Sequence, residues 1–265
     1  MVRALFKRNM ISGIKVLLIL LGVISMYTVV IIYMYNPEIS QMLSGYQEVL
    51  PEMMAAVGMT GIADNILEWI RIYLYGFIMI LFPLIFEIII VNKLVVSYID
   101  KGSMAVLLST PHSRKKIIFT QAVSLAILVS LLLICITTVG IASCQIMFPG
   151  ELDVKKYILL NGSEILLQLM MLGIIFLFAC MCTDARYFYA FGAGIPLVFF
   201  LIQMLANMGG KLEKLKYFTL YSLFPSGRIV DGTQGYLIYN LVMALISIAF
   251  MGTGIFYFTR RDLSV

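Results

Sequence analysis

Few residues in this 265-residue chain are equipped for covalent or acid–base chemistry. It has one histidine, His112, and four cysteines, Cys135, Cys144, Cys180 and Cys182. A Cys-x-Cys pair with a single histidine falls short of a zinc set, which draws three or four ligands from Cys, His and carboxylates. No metal is expected, and the cysteines read as free thiols because they fall at different depths of the apolar runs described below. The nearest approach to a phosphate-cradling G-x-x-x-x-G-K-[ST] loop is Gly209-Gly210-Lys211-Leu212, which lacks both the spacing and the hydroxyl. Any ATP hydrolysis would therefore belong to another chain; no enzyme activity and no cofactor are expected of this one. Glu87 reads as the one acid set inside a long apolar run, with Asn92 and Lys93 one to two turns further on. A lone carboxyl makes no acid–base dyad. Ionisable groups in such a setting face protein or water, so Glu87 is either a helix-interface or a transport-path position. Lys93 can snorkel to lipid headgroups.

The elements around these residues follow from composition. Hydrophobic residues make up 62% of the chain and charged ones 12%, with a mean hydropathy of +1.00. Soluble domains are about 45–50% apolar and about 25% charged, so a soluble enzyme, a nucleic-acid reader and a disordered tail are excluded. Crossing a hydrocarbon core ~30 Å thick takes about 20 helical residues, and an open strand would leave backbone groups unpaired in lipid. Six runs meet the requirement: 16–35, 72–96, 117–141, 165–182, 187–208 and 236–259. The expected fold is one all-α polytopic domain spanning 1–265. The first run follows basic residues but has no small-residue cleavage pattern after it, so it reads as a retained anchor.

Lysine and arginine set the orientation. Twelve of the nineteen cations fall on one side if both ends share it: Arg3, Lys7, Arg8, Lys15, Lys93, Lys101, Arg114, Lys115, Lys116, Arg186, Arg260 and Arg261. The segment 36–71 carries five acids and one cation, Arg71, which suits the outside. Both termini are thus expected to be cytoplasmic, although 209–235 then lies outside with four cations. Residues 1–15 mix Val2, Leu5, Phe6 and Met10 with Arg3, Lys7, Arg8 and Asn9, which reads as an interfacial elbow helix or as a plain basic flank. Outside, short surface helices are expected over 39–50 and 52–57.

The stretch 100–114 is the most informative connection. Gly102 lets the chain turn, Ser103 can cap a helix, and Met104, Leu107 and Leu108 form an apolar stripe at i, i+3 and i+4. Pro111 ends it, and Arg114-Lys115-Lys116 hold the next run at the interface. A two-turn helix of this kind is a docking knob for another protein or a loop lying on lipid. In the fifth run, Gly192, Gly194 and Pro196 permit close helix approach and weaken the backbone ladder. They suit a dimer seam or ordinary packing.

The run Asp100-Lys101-Gly102-Ser103…Leu107-Leu108-Ser109-Thr110-Pro111…Ser113-Arg114 resembles the "E-x-G-T-x-E-x-L-L-s-x-P-v-s-R" signature of ABC-2-type permeases, the membrane subunits of one class of ATP-binding-cassette transporters. The ending Phe258-Thr259-Arg260-Arg261-Asp262-Leu263 resembles that family's "F-x-R-R-D-L" close, and Leu220-Tyr221-Ser222-Leu223-Phe224-Pro225 is similar to the segment before its final helix. Ser103 stands where threonine is usual, and Ala105 near where many members carry glutamate. The resemblance implies a permease of the bacterial plasma membrane, paired with a second copy or paralogue and with cytoplasmic ATPase subunits that hold ATP and Mg. Residues 102–111 would be the coupling helix, with Gly102, Ser103, Met104, Leu107, Leu108, Pro111 and Arg114 at the ATPase, and Asp184 and Arg186 would make a smaller second contact. It also implies export of a hydrophobic or amphipathic compound such as a drug, an antimicrobial peptide or a lipid. An ion-coupled secondary transporter and a non-transporting immunity or scaffold protein are the rival readings; the former calls for several midplane ionisable groups and paired repeats.

Impermeant thiol reagents applied from outside should label Glu48→Cys and Lys214→Cys but not Arg114→Cys; the reverse pattern overturns the orientation.

Overall fold

The computed structural model describes residues 1–36, 39, 49–59, 61, 63–108 and 111–261, with the backbone alone at 105, 106 and 108. The surface helix expected over 39–50 lies almost wholly outside these residues, as do Ser109, Thr110, the end of the chain from Asp262, and the side chain of Leu108.

The described chain is helical, and six helices are long and apolar enough to cross a membrane. These are α1 (Arg3–Tyr33), α4 (Ile78–Asp100), α6 (Arg114–Met147), α7 (Val154–Met181), α8 (Ala185–Asn207) and α10 (Tyr236–Arg260). Shorter helices connect them: α2 (Pro51–Ala56), α3 (Ile66–Tyr73), α5 (Ser103–Leu108) and α9 (Ser226–Val230). Two 3₁₀ segments, Gly210–Phe218 and Leu220–Leu223, precede α9. The protein is a multi-pass helical membrane protein. An even number of spans puts both termini at one end of the bundle, where the Val2 amide donates to Thr120 Oγ1 (2.9 Å) and Arg114 donates to the Arg261 carbonyl (3.0 Å).

The helix boundaries correct several of the expected ones. The separate elbow over 1–15 is not seen: α1 runs unbroken for 31 residues, roughly 46 Å at ~1.5 Å per residue. Nothing between Met10 and Val16 breaks a helix, and one face buries Leu5, Asn9, Gly13, Leu17, Ile24, Thr28 and Ile32 in a single stripe. Asn9, expected on the polar side, lies in that stripe because its Nδ2 donates to Gln121 Oε1 (2.6 Å) and Ser124 Oγ (3.1 Å) of α6. The second crossing starts at Ile78 rather than 72. The backbone turns between α3 and α4, where Gly76 meets Gly58 so closely that a Cβ on either would collide with the other's backbone. The fourth crossing starts eleven residues earlier than 165: Asp153 Oδ1 accepts from the Lys156 amide (3.0 Å) and caps α7. The apolar criterion stopped at Glu164, but the helix does not.

Helix α7 is the central post. Two-thirds of its most apolar window is buried (67%), against 22% for α1 and α10. Small residues bring α10 close to it: Gly173 sits under Ser247 and Phe250, Gly254 under Phe176 and Leu177, and Ser247 Oγ donates to the Leu169 carbonyl (2.8 Å). On the outer faces Leu18, Ile19, Val198, Leu201, Leu241 and Ile248 are exposed, as lipid-facing side chains must be.

Helices α4 and α8 each carry a π-helical stretch toward the terminal end, Asn92–Val96 and Phe188–Ala193. In α8 the reason is close at hand: Pro196 has no N–H for the Gly192 carbonyl, and its ring crowds that carbonyl, so the preceding turn widens.

Candidate functional site

Two polar assemblies stand out, one inside the bundle and one at its terminal end. The first begins with Pro83, in the second turn of α4. Proline donates no hydrogen bond, so the Met79 carbonyl loses its helical partner. Gln168 of α7 supplies the replacement: its Nε2 lies 3.1 Å from the Met79 carbonyl and 3.3 Å from that of Ile80, and it donates also to Glu164 Oε1 at 2.7 Å. A proline break is tolerated in lipid only where something refills it, and here one amide joins two spans in doing so.

One turn beyond Pro83, Glu87 is fully buried, and neither carboxyl oxygen has a partner. Glu87 is not the only buried acid: Glu164 is equally enclosed. Around them, Tyr75 donates to Asn161 Oδ1 (2.7 Å), whose Nδ2 donates to the Tyr157 carbonyl (2.9 Å). The Tyr157 hydroxyl reaches Gly140 of α6, which leaves it room. Tyr221 closes the group from the 209–235 connection. Burial first, then the charges of Glu87 and Glu164, holds its phenol well above the ordinary range, so it stays a neutral donor.

Above this group, at the end away from the termini, is a half-open cavity of about 260 Å³. Tyr75 and Tyr221 form its floor, Phe200 and Phe224 contribute walls, and Arg71 and Gln203 line it. Arg71 Nε, Gln203 Oε1 and the Tyr221 hydroxyl are buried there without partners among the described residues. None of these residues carries a functional motif that marks it in the sequence.

The second assembly gathers the expected coupling residues. Gly102 turns the chain with φ +67° and α5 follows, as expected. Ser103 opens α5, and its Oγ donates back to the Tyr98 carbonyl (3.3 Å), at the end of α4, instead of accepting, among the described residues, from an amide of its own first turn. The apolar stripe, however, does not point outward as a docking knob. Met104 is 2% exposed, and Leu107 is half-buried against the protein's own core. A two-turn helix next to an apolar bundle gains more by burying its stripe than by presenting it to water. Asp184 and Arg186 are exposed on the neighbouring turn, and the two connections are tied together because Asp100 Oδ1 accepts from the Ala185 amide (3.2 Å).

Arg261 completes this end. Its Nη1 faces the carbonyls of Cys180 (3.2 Å), Met181 (3.0 Å) and Cys182 (3.0 Å), the unsatisfied C-terminus of α7. A cation there also complements the negative end of the helix dipole. Arg114, through the Arg261 carbonyl, joins α6 to the same point. Pro111 is exposed beside the residues not described.

Gly192 and Pro196 are buried, with Gly192 against Phe178 of α7. Gly192 is seven residues into α8, roughly 10 Å from the terminal end, whereas Glu87 is roughly 20 Å from it. The structure does not bring them together. Gly194 is half-buried. The four cysteines are free, and among the described residues no cluster of metal-ligating side chains occurs. Neither a family model, nor a curated protein, nor a solved structure matches the chain.

Glu87→Gln should change stability in detergent by less than ~0.5 kcal/mol, because no hydrogen bond is lost, whereas Glu164→Leu should cost ~1–1.5 kcal/mol by removing the carboxyl oxygen that accepts from Gln168 Nε2, which keeps the Met79 and Ile80 carbonyls. Thermal unfolding of the purified variants reads both; equal losses would mean that Glu87 is bonded.

Proposed function

We propose that this chain is the permease subunit of an ATP-binding-cassette exporter, working as a dimer with separate ATPase subunits on the face that carries both termini. By the lysine and arginine bias that face is the cytoplasmic one. The observation that carries the reading is the bond between Asp100 and the Ala185 amide. It joins the two connections that the ABC-2 resemblance assigns to the ATPase, so a push on one is a push on the other.

The tie continues into the bundle. Arg261 grips the end of the central helix α7, and Arg114 bonds the backbone of Arg261. ATPase closure against α5 and the 182–185 turn would act on α4, α6, α7, α8 and α10 together rather than on one loop. The inward-facing Met104 and Leu107 suit this, since a foot packed on the core transmits a load that a free loop would absorb. The surface left for the partner mixes charge with an aromatic ring: Asp184, Arg186 and Tyr187 are exposed around an open depression beside Asp100, and Lys101 is exposed next to it in the chain. The cargo we propose is amphipathic, in keeping with the aromatic and apolar walls of the outer cavity.

Ion-coupled secondary transport is the second reading, and the buried Glu87–Glu164 pair favours it. It would require turnover without nucleotide and loss of that turnover in Glu87→Gln.

The protein purified from its native membranes should retain a Walker-motif ATPase identifiable by mass spectrometry. Lys101→Glu with Arg186→Glu, both exposed, should reduce that retention about 10-fold or more, a loss of ~1.4 kcal/mol or greater, while leaving expression and unfolding temperature unchanged. Absence of any ATPase from the wild type, or undiminished retention by the variant, would contradict the permease reading.

A further inference from the structure

At the terminal end a groove of about 530 Å³ runs between α1 and α4, lined by Ala4, Lys7, Arg8, Ile11, Ser12, Lys15 and Lys93. The residues of α1 recur at the helical spacing that leaves one face outward, opposite the stripe Leu5, Asn9, Gly13 and Leu17 that packs on the bundle. The fourth cation comes from the other helix. Lys93 lies in the π-helical stretch of α4, and its Nζ donates to the Ser12 carbonyl at 2.8 Å, which fixes the ammonium in the groove. Arg8 lies over the Tyr98 ring of α4, 5.4 Å from its centroid, and so leans to the same side.

Four cations thus converge on one groove, and none has a carboxylate partner among the described residues, where the one ion pair is Lys216–Glu213 at the opposite end. Like charges gathered this way repel unless an anion sits among them. Depth identifies its setting. Lys15 is the last charge before the uncharged run 16–35, which puts the groove at headgroup level. Directly beyond Lys15 on the same face, Leu18 is 59% exposed and Gly22 has open space where a side chain would be. A molecule with its anion among the lysines has an apolar track along α1 for its tail.

We propose that this groove binds the phosphate of an anionic lipid, with the headgroup among Lys7, Arg8, Lys15 and Lys93 and an acyl chain along Leu18 and Gly22. Basic pockets between membrane helices suit such headgroups. The site would fasten α1, one of the least buried spans, to α4 through a shared ligand. It stands apart from the transport reading.

Native mass spectrometry of the purified protein, titrated with phosphatidylglycerol or phosphatidylcholine in detergent, tests the proposal. Phosphatidylglycerol should bind at least about 10-fold more tightly than phosphatidylcholine. Replacing Lys7, Lys15 and Lys93 with glutamine should weaken it about 100-fold, at roughly a factor of five per cation. The milder Lys7→Gln, Lys15→Gln variant, altering exposed side chains only, should weaken it about 20-fold on the same scale, and serves if the triple variant does not fold. Removing three exposed cations elsewhere on that face (Lys101→Gln, Lys115→Gln, Arg186→Gln) should change it less than about 2-fold, and millimolar inorganic phosphate should not compete. Equal binding of the two lipids, an equal loss in the control variant, or full displacement by inorganic phosphate would each overturn the lipid site.

Discussion

Hydrocarbon offers no hydrogen bonds, so a backbone group opened within a membrane span has to find its partner in the protein. Pro83 opens a gap in the hydrogen-bonding of α4, and Gln168 of α7 fills it while also holding Glu164. Unpaired backbone groups in hydrocarbon cost several kcal/mol each, so the amide is bound to that spot and fixes the register of α4 against the central helix. The same constraint recurs at α1, where Asn9 pairs with Gln121 and Ser124, and at the end of α7, where Arg261 covers three carbonyls. In each case a polar side chain from one helix is spent on a neighbouring element, and the spans are joined by directional bonds as well as by packing.

These joints have a mechanical consequence. Apolar side chains in lipid have no hydrophobic drive to choose one neighbour over another, so specificity between spans rests on close packing and on polar contacts. Here the close packing is the Gly173–Gly254 seam of α7 with α10, and the polar contacts are those just named. The seam, the Gln168 joint and the Arg261 cap converge on α7, while Asn9 ties α1 to α6, and Asp100 joins the connection before α5 to the turn after α7. A displacement applied at the terminal face therefore travels along elements already in register. Glu87 is enclosed one turn from the Pro83 joint, and both its carboxyl oxygens, like Glu164 Oε2 and Gln168 Oε1, are unpartnered among the described residues. Buried polar groups without partners are rare enough to need a reason, and its neighbour Glu164 and the outer cavity above Tyr221 make this the region where chemistry rather than packing is concentrated.

Much of the architecture could be read from the chain because lipid imposes a simple rule, about 20 apolar residues per crossing. Six spans followed from it, and the small helix at 103–108 followed from the Gly102 turn, the apolar stripe and the nearby Pro111. The same rule misplaced boundaries wherever a helix kept going through polar residues. It stopped the fourth crossing at Glu164 and so hid Glu164 among loop residues, leaving Glu87 apparently alone. It split α1 at Lys15, although nothing in residues 1–15 disfavours helix, and it ran the second crossing back through the turn at Gly76. The outward docking stripe at Met104 was misread for a different reason: periodicity shows that a face is apolar, not which surface will cover it. Gly192 and Gly194 drew notice as small residues close in sequence, yet the seam between α7 and α10 uses Gly173 and Gly254, which are far apart in sequence. Gln168 and Arg261 were legible as polar residues, but their partners are backbone carbonyls, which carry no sequence signature at all.

The central claim is that Gln168 is needed because Pro83 is there. A double-mutant cycle in detergent, comparing Gln168→Leu in the wild type and in a Pro83→Ala background, tests it directly. An N–H restored at position 83 gives the Met79 carbonyl its own helical partner, so the loss from Gln168→Leu should shrink by ~1 kcal/mol or more. Losses that agree in the two backgrounds to within ~0.5 kcal/mol would show the two residues to be independent and would contradict the account.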